Sequence, residues 1–260
     1  MTTAHIDGDI LVYRVGYTTM EDDFPIAEWR MRELCERITD ALSTRDARFY
    51  LTSTDKSNFR YGVFPDYKGH RTQPKPTHYL MLREHLIKDH RATVVEGKEA
   101  DDEMGEQMTH PDNPPGCIVT IDKDLDMVPG DHYNFVKDVR YIISPLEAKR
   151  CFWEQVLKGD KSDNVEGIYG IGQVKAQRML EGCESEAEMA DVAVRQYQKA
   201  YDEEWLPRLY LAACLLWIRQ HGMKHWHESP GLVEWISDQD WSGHLPRYAS
   251  LAESGSIMSP

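Results

Sequence analysis

Short apolar segments alternate with segments of helical periodicity over the first half of this chain. This alternation is typical of an α/β fold whose central sheet is mainly parallel and is flanked by helices. In such sheets, ligands bind beyond the carboxyl ends of the strands. The predicted strands are Thr3–Asp7, Ala47–Leu51, Thr93–Val95 and Cys117–Ile121, and the predicted helices begin at Pro25, at Thr77 (which would cap a helix to Lys88) and at Asp101.

The second half of the chain has a different character. Ser144 followed by Pro145 is typical of a helix start, and the helix is predicted to run to about Lys158. Beyond this point the pattern predicts helices alone. We therefore expect an α/β core over residues 1–144 and a helical region over 145–260, which ends in a loose tail from about 253.

Composition excludes several classes of protein. The 260 residues carry 30 Lys and Arg against 44 Asp and Glu, a net charge of −14, which argues against binding nucleic acid through bulk positive charge. No apolar run approaches the length of a membrane span, and the N-terminus lacks the pattern of a signal peptide. The five cysteines are far apart, which indicates reduced thiols. We expect a cytoplasmic protein that makes no contact with a membrane.

Acidic residues follow the predicted strands, at the points where the strands end. The carboxyl ends of parallel strands meet at one edge of a sheet, so the first four sets are expected to converge there. Like charges at close range are unfavourable unless cations neutralise them, and carboxylate oxygens are ligands that Mg²⁺ prefers. The sets are Asp7, Asp55, Glu99-Ala100-Asp101-Asp102 and Asp122-Lys123-Asp124, with Asp160 and Asp163 after the long helix.

Each acidic residue by itself has a structural interpretation. An Asp after a strand usually forms a turn or caps a helix, and Asp101 and Asp102 suit a helix N-terminus. The coincidence of five sets favours a metal site, at which two ions would activate water for phosphodiester hydrolysis. Spacing alone leaves a nuclease, a phosphatase and an acidic Mg²⁺-binding module open.

A glycine-rich segment follows the last acidic set. Gly167, Gly170 and Gly172 precede a helix predicted over Val174–Leu180, which carries Lys175. Such a turn between helices can direct backbone N–H groups at a phosphate, and its carbonyls can hold a monovalent cation. A tight turn without a ligand is an equally good interpretation of the glycines alone.

Basic residues concentrate between the second and third strands, where aromatic residues are interleaved with them. Cations that bind phosphates and aromatic faces that stack bases suit a single-stranded end of a nucleic acid. A solvated surface loop is the structural alternative. The basic residues are Arg60, Lys68, His70, Arg71, Lys75, Arg83, Lys88 and Arg91, and the aromatic ones are Tyr61, Phe64, Tyr67 and Tyr79.

Taken in order, these segments resemble the 5′-nuclease superfamily, which includes flap endonucleases and the 5′-nuclease domains of bacterial DNA polymerases. Phage-encoded 5′→3′ exonucleases are the most similar members. The resemblance covers roughly residues 4–180, and it implies a PIN-like fold. Its segments are Asp7-Gly8-Asp9, Asp55 to Arg60, Pro65 to Arg71, Glu99 to Asp102, Asp122 to Leu125, Gly159 to Asn164 and Gly167 to Gly172.

The resemblance implies a role for each matching residue. Lys68 and Arg71 match the basic pair of a helical arch, here about residues 60–91, that meets the scissile phosphate. Residues 159–181 match a helix–three-turn–helix element that binds DNA, with a K⁺ ion held at Gly167 and Gly170. The implied metal ligands are Asp7, Asp55, Glu99, Asp101, Asp102, Asp122, Asp124, Asp160 and Asp163, and the implied DNA contacts are Arg60, Tyr67, Lys75, Arg83, Gly167, Gly170, Gly172 and Lys175.

The expected function is a structure-selective 5′ nuclease that uses two Mg²⁺ ions, for which Mn²⁺ would substitute. Its partner would be DNA with a free 5′ end, flap, nick or gap, in phage or bacterial replication or repair, and the protein is expected to be a monomer. Two alternatives remain: a DNA-junction binding protein without activity on the same fold, and a PIN-type ribonuclease.

Overall fold

A computed structural model describes residues 2–238 of the chain. The chain divides into two compact units. The first contains the described residues up to Ser57 and Gln73–Ile143, and the second contains Asn58–Thr72 together with the described residues from Ser144 onward. The division after residue 143 lies next to the predicted boundary, but Asn58–Thr72, within the predicted core, groups with the second unit. The predicted tail lies outside the described residues.

The first unit contains a six-stranded sheet with the strand order β3-β2-β1-β4-β5-β6. Strands β1 to β5 are parallel, and β6 is an antiparallel edge strand paired with β5. This is the predicted α/β class, with a mainly parallel sheet. The strands are β1 (Thr3–Asp7), β2 (Ala47–Thr52), β3 (Thr93–Val95), β4 (Gly116–Val119), β5 (Gly130–Asn134) and β6 (Val139–Ile143).

Helices flank this sheet and bury its apolar faces. The buried core combines residues of the central strands, such as Ile6 and Val119, with residues of the helices, such as Leu11, Ile38 and Leu86. Burial of these side chains is the main source of stability for the unit. The helices of the first unit are α1 (Gly8–Thr18), α2 (Phe24–Ala41), α4 (Tyr79–Asp89) and α5 (Ala100–Thr109), with a short 3₁₀ turn at Asp124–Met127.

Two parts of this unit differ from the sequence-based prediction. The helix α4 begins at Tyr79 after His78, so Thr77 is not its cap, and the Thr77 hydroxyl instead donates to the carbonyl of Met20 at 3.3 Å. Strands β5 and β6 were not predicted. Their hydrophobic periodicity is weak because β6 is an exposed edge strand and β5 has few apolar residues.

The second unit is mostly helical, as predicted, but it also contains a short hairpin. Strands β7 and β8 pair in antiparallel fashion between α6 and α7. Helix α6 begins after Ser144, whose side chain accepts from the backbone N–H of Glu147, so the predicted Ser-Pro start is confirmed. The elements are α3 (Phe59–Val63), α6 (Pro145–Lys158), β7 (Gly159–Asp160), β8 (Val165–Glu166), α7 (Gln173–Leu180), α8 (Glu186–Tyr201), α9 (Trp205–Leu216) and α10 (Val233–Asp238).

Within residues 2–238, every helix is too short or too polar to cross a membrane.

The start of α1 depends on close packing at Gly8. A Cβ atom at this position would lie 2.6 Å from the carbonyl oxygen of Tyr50 and 3.0 Å from a methyl group of Leu51. The backbone of Tyr50 belongs to the sheet and cannot move away cheaply. Glycine therefore allows the chain to turn from β1 into α1 directly against β2.

We predict that Gly8→Ala lowers the free energy of unfolding by about 1–3 kcal/mol because of this overlap. Gly62→Ala is the matched control, since a Cβ at Gly62 meets nothing within 4 Å. That change is expected to stabilise the protein by about 0.4–1 kcal/mol, because alanine restricts the unfolded chain. Urea denaturation of both variants measures the difference, and equal effects would contradict the packing argument.

Candidate metal site and nucleic-acid interface

The parallel sheet brings the predicted acidic sets of the first unit to one edge. Strands β1, β2, β3 and β4 run in the same direction, so their carboxyl ends lie side by side. Asp7 ends β1, Glu99 follows β3, and Asp122 follows β4. The sheet therefore places acids from distant parts of the sequence along a single edge, which we call the carboxyl edge.

Asp7 is the most constrained of these acids. Its carboxylate is buried and accepts hydrogen bonds from the Thr120 hydroxyl at 2.8 Å and from the Ile10 backbone N–H at 3.0 Å. The second of these bonds caps α1. Burial raises the pKa of Asp7 first, the charges of Asp9 and Asp122 raise it further, and the two hydrogen bonds offset part of the increase.

Asp9 belongs to the same edge, although the sequence analysis did not include it among the metal ligands. Its carboxylate accepts from the backbone N–H of Thr52 at 2.9 Å and forms an ion pair with Arg83 at 2.8 Å. Burial raises the pKa of Asp9, and so does the charge of Glu99, against the opposing effect of Thr52 and Arg83. The sequence did contain a signal for Asp9, since this acid follows Asp7 by two residues at the point where β1 turns into α1.

Glu99 and Asp102 form a reciprocal cap at the start of α5. The Asp102 carboxylate accepts from the backbone N–H of Glu99 at 3.0 Å, while the Glu99 side chain accepts from the backbone N–H of Asp102. The hydroxyl of Thr52 accepts from the next backbone N–H, that of Ala100. Asp102 is completely buried and Asp101 is half-buried. Asp102 thus has a clear capping role in addition to any role toward a cation.

Asp122 and Asp124 lie in the turn that follows β4. The Asp122 carboxylate accepts from the backbone N–H of Asp124 at 3.0 Å, and the backbone N–H of Asp122 donates to the Thr120 hydroxyl. Thr120 therefore connects this turn to Asp7. Both acids are half-buried, which leaves carboxylate oxygen accessible.

Asp55 lies on an exposed loop after β2, unlike the other predicted metal ligands of the first unit. Its carboxylate accepts from the backbone N–H of Ser57 at 2.9 Å, and hydrogen bonds from Ser57 lower its pKa. A hydrogen bond from the backbone N–H two residues further on is typical of an Asp that stabilises a turn. In this structure Asp55 is therefore a turn residue, and a role as metal ligand stays a prediction.

The donor set at the carboxyl edge fits a hard divalent cation. It consists of carboxylate oxygens, and the mutual repulsion that raises the pKa of Asp7 would be relieved by a positive ion. The carboxylates lie apart: among residues 2–238, three His, Cys, Asp or Glu ligand atoms come within 4.8 Å of one another only at Glu28, His85 and Asp89.

The second unit contains the other two predicted metal ligands. Asp160 closes a turn, because its carboxylate accepts from the backbone N–H groups of Ser162 and Asp163 at 2.7 and 3.2 Å. Asp163 instead interacts with the predicted phosphate-binding pair. Its carboxylate lies 2.5 Å from a guanidinium nitrogen of Arg71 and 3.6 Å from the ammonium of Lys68.

Further hydrogen bonds hold both the side chain and the backbone of Asp163 in place. The hydroxyl of Tyr67 donates to it at 2.8 Å, and the backbone N–H of Lys68 donates to the Asp163 carbonyl. Burial raises the pKa of Asp163, but Lys68 and Arg71 outweigh this effect and hold the pKa below its usual range. Asp163 is therefore the counter-ion of the basic pair in this structure.

Some residues predicted to contact DNA have internal partners. Arg60 is buried, and its guanidinium donates to the carbonyls of Leu215 and Trp217 at 2.8 and 2.7 Å. Arg83 is also buried and donates to the carbonyl of Thr52 as well as to Asp9. Both were predicted to contact DNA, because the local sequence around an arginine does not reveal whether its partner is a phosphate or a backbone carbonyl.

Lys75 remains on the surface, where its ammonium lies 4.1 Å from the centre of the Tyr79 ring. Tyr67 is buried, so its ring cannot stack on a base in this arrangement.

The glycine-rich segment joins β8 to α7. Gly170 has a φ of +77°, a conformation that favours glycine, whereas Gly167 packs against the backbone of β7 so closely that a Cβ would overlap it. The ammonium of Lys175 lies 3.3 Å from the Gly170 carbonyl oxygen. Tyr169 is completely exposed between buried Ile168 and Ile171. The turn thus presents an aromatic side chain and a cation to solvent.

No protein-family model matches the chain. Its sequence is 29% identical over 199 residues to DNA polymerase I of Bacillus caldotenax, an alignment that covers 67% of this chain and 23% of the polymerase. It is 26% identical over 229 residues to flap endonuclease Xni of Shewanella baltica, covering 78% of this chain and 85% of that protein. The chain therefore spans less than a quarter of the polymerase and corresponds to most of the endonuclease.

The fold is that of the bacteriophage T5 5′-nuclease. The D15 protein of phage T5 co-crystallised with metal ions superposes with a TM-score of 0.59, at 14% sequence identity and 98% coverage of both chains. The zinc-bound T5 5′-exonuclease gives a TM-score of 0.57 with the same identity and coverage. The chain thus resembles the 5′-nuclease superfamily both in sequence and in fold.

Arg83 generates a prediction about stability, because it neutralises Asp9 and satisfies the Thr52 carbonyl at the carboxyl edge. We expect Arg83→Met to lower the free energy of unfolding by about 2–4 kcal/mol, since Asp9 would lose its counter-charge in a largely buried setting. Arg14→Met, on an exposed face of α1, should change stability by no more than about 0.5 kcal/mol. Chemical denaturation checks both values.

Adding Asp9→Asn to Arg83→Met should recover part of the loss, because the unpaired charge is then gone. Strict additivity of the two substitutions would show that the ion pair is not what holds Arg83 in place.

Proposed function

We propose that this chain is a divalent-metal-dependent, structure-selective 5′ nuclease that hydrolyses phosphodiester bonds at or near the 5′ ends of DNA. The observation that carries the proposal is the row of hydrogen-bonded carboxylates at the carboxyl edge. Relatives named as flap endonuclease and the fold of the T5 exonuclease support the same activity. The products formed from different DNA substrates distinguish an exonuclease from a flap endonuclease.

The proposed metal ligands are Asp7, Glu99, Asp101, Asp122 and Asp124 of the first unit. Thr120 and the N-terminus of α1 orient Asp7, while the reciprocal cap with Asp102 orients Glu99. When bound, two Mg²⁺ or Mn²⁺ ions would lower the pKa of the attacking water and stabilise the departing 3′ oxygen. The protein supplies the carboxylates, and its own hydrogen bonds orient Asp7 and Glu99.

Lys68 and Arg71 are proposed to bind a phosphate group of DNA. Both cations are paired with Asp163 in this structure, so a phosphate would have to replace that carboxylate as their partner. Arg71 is well placed for the exchange because its side chain is about half exposed, whereas Lys68 is mostly covered. Positive charge placed there would stabilise the negative charge that develops on the reacting phosphate.

Residues of the glycine-rich turn are proposed to bind the DNA backbone. Gly170, Gly172 and Lys175 are exposed at the start of α7, where N–H groups and a cation suit phosphate oxygens. A K⁺ ion at the turn remains part of the proposal, and the Gly170 carbonyl that would serve it now accepts from Lys175. Contacts to the DNA backbone carry no sequence information, so selectivity is proposed to come from the shape of the DNA and its free 5′ end.

The decisive experiment offers 5′-labelled flap, nicked, gapped and blunt duplex DNA to the purified chain with Mg²⁺, with Mn²⁺ and with a chelator. Cleavage of the flap or nicked substrate only when metal is present supports the proposal. A flap substrate that is bound yet left intact with both metals would identify a junction-binding protein instead. Cleavage of matched RNA but not DNA would identify a ribonuclease.

Asp122→Asn and Asp124→Asn are each expected to reduce cleavage below detection and to leave DNA affinity within about threefold of wild type, because removal of a carboxylate weakens metal binding and does not affect contacts to DNA. Single-turnover cleavage and fluorescence anisotropy in Ca²⁺ measure the two properties. Asp112→Asn, which changes an exposed acid of the same unit, serves as the control. Full cleavage by both variants would remove these residues from the metal site.

Lys68→Met and Arg71→Met should each lower the single-turnover rate by about 100-fold, the scale expected when one group that stabilises a developing negative charge is removed. Lys199→Met, an exposed lysine on α8, is the matched control and should retain the wild-type rate. If the two variants changed DNA affinity alone and cut at the normal rate under saturating protein, these cations would serve binding and not the chemical step.

A further inference from the structure

Helices α2 and α4 bring a histidine and two carboxylates together outside the carboxyl edge. One ligand atom each from Glu28 on α2 and from His85 and Asp89 on α4 lie within 4.8 Å of one another. Among residues 2–238, no other three His, Cys, Asp or Glu residues bring their ligand atoms this close together. None of the three residues lies in the segments that carry the resemblance to the 5′-nuclease superfamily, and the proposed nuclease activity uses none of them.

His85 is buried, yet its ring nitrogens lack hydrogen-bond partners. Its Nδ1 atom lies 2.6 Å from Oδ2 of Asp89 and 3.4 Å from Oε1 of Glu28, but neither contact has the alignment of a hydrogen bond. Nε2 is likewise buried without a partner. Buried polar atoms in proteins are nearly always satisfied, so an unsatisfied imidazole facing two carboxylates calls for an explanation.

The spacing of the three ligand atoms suits a metal ion. Ligands at the usual zinc distances in a tetrahedral site lie about 3.4 Å from one another, and Nδ1 of His85 is 3.4 Å from the Glu28 oxygen. The Asp89 oxygen is closer to Nδ1, but its side chain is 57% exposed and free to swing outward. His85 and Asp89 are four residues apart on one helix, so both project from the same face.

The chemistry of the ligands selects the class of ion. Imidazole nitrogen favours zinc and other transition metals over magnesium, while two carboxylates balance the charge of a divalent cation. We propose that Glu28, His85 and Asp89 form a binding site for a divalent transition-metal ion. A bound ion would join α2 to α4, the helix whose Arg83 holds Asp9 at the carboxyl edge.

The test measures Zn²⁺ binding to the full chain by equilibrium dialysis with metal analysis, in excess Mg²⁺ so that the acids of the carboxyl edge are occupied. The variants are His85→Ala and the isosteric changes Glu28→Gln and Asp89→Asn. Glu84→Gln is the matched control, because Glu84 is an exposed α4 carboxylate already paired with Lys88. The wild type and the control should bind a single Zn²⁺, and each variant should bind it at least about tenfold more weakly.

Two further measurements make the result independent of folding defects. Zn²⁺ should raise the melting temperature of the wild type and of Glu84→Gln, and this increase should be lost in Glu28→Gln and Asp89→Asn, which change no buried side chain. Co²⁺ should give visible absorption bands of a nitrogen- and oxygen-ligated ion that the same variants lack. Cleavage of DNA with Mg²⁺ should be unchanged in Glu28→Gln.

The proposal is overturned if the wild type binds no Zn²⁺ in excess Mg²⁺, or if the three variants bind Zn²⁺ as the wild type does. Either result would identify the cluster as an internal contact between His85 and its two carboxylates with no role in metal binding.

Discussion

Negative charges at the carboxyl edge of the sheet repel one another, and much of the first unit is arranged to hold them there. Asp7 is buried, and nearby Asp9 and Asp122 raise its pKa further. Hydrogen bonds from Thr120 and the N-terminus of α1 retain it, and an ion pair with Arg83 retains Asp9. Repulsion between buried carboxylates lowers the stability of the fold, and a divalent cation bound there would relieve it. The retention of these carboxylates at one edge therefore favours a functional site.

In the second unit, a carboxylate is paired with two basic side chains. Asp163 neutralises Lys68 and Arg71, and the contacts of Tyr67 hold the carboxylate in position. These ion pairs satisfy both cations within the protein. If Lys68 and Arg71 bind a phosphate as proposed, DNA has to compete with Asp163 for them, which would reduce non-specific binding by a chain of net charge −14.

The partner of a buried arginine cannot be predicted from the sequence around it. Arg60 and Arg83 lie in a segment rich in cations and aromatics, which predicts contacts to DNA. In the structure they donate to backbone carbonyls of α9 and its C-terminal end and of β2, respectively, and Arg83 also binds Asp9. A guanidinium offers the same five donors to a phosphate and to a carbonyl, so its local sequence cannot say which one it meets.

The sequence by itself determined the α/β class, the positions of four strands along the chain and the presence of acids after them, because alternating apolar and helical periods and strand-end carboxylates are local patterns. It also placed the start of α6 at Ser144 correctly. Tertiary structure alone decided which acids are buried together, that Asp9 joins them, that Asp55 stays in an exposed turn and that Asp163 pairs with Lys68 and Arg71. It also brought Glu28 against His85 and Asp89. These outcomes depend on contacts between residues far apart in the chain, since burial and charge pairing are set by packing and not by neighbours in sequence.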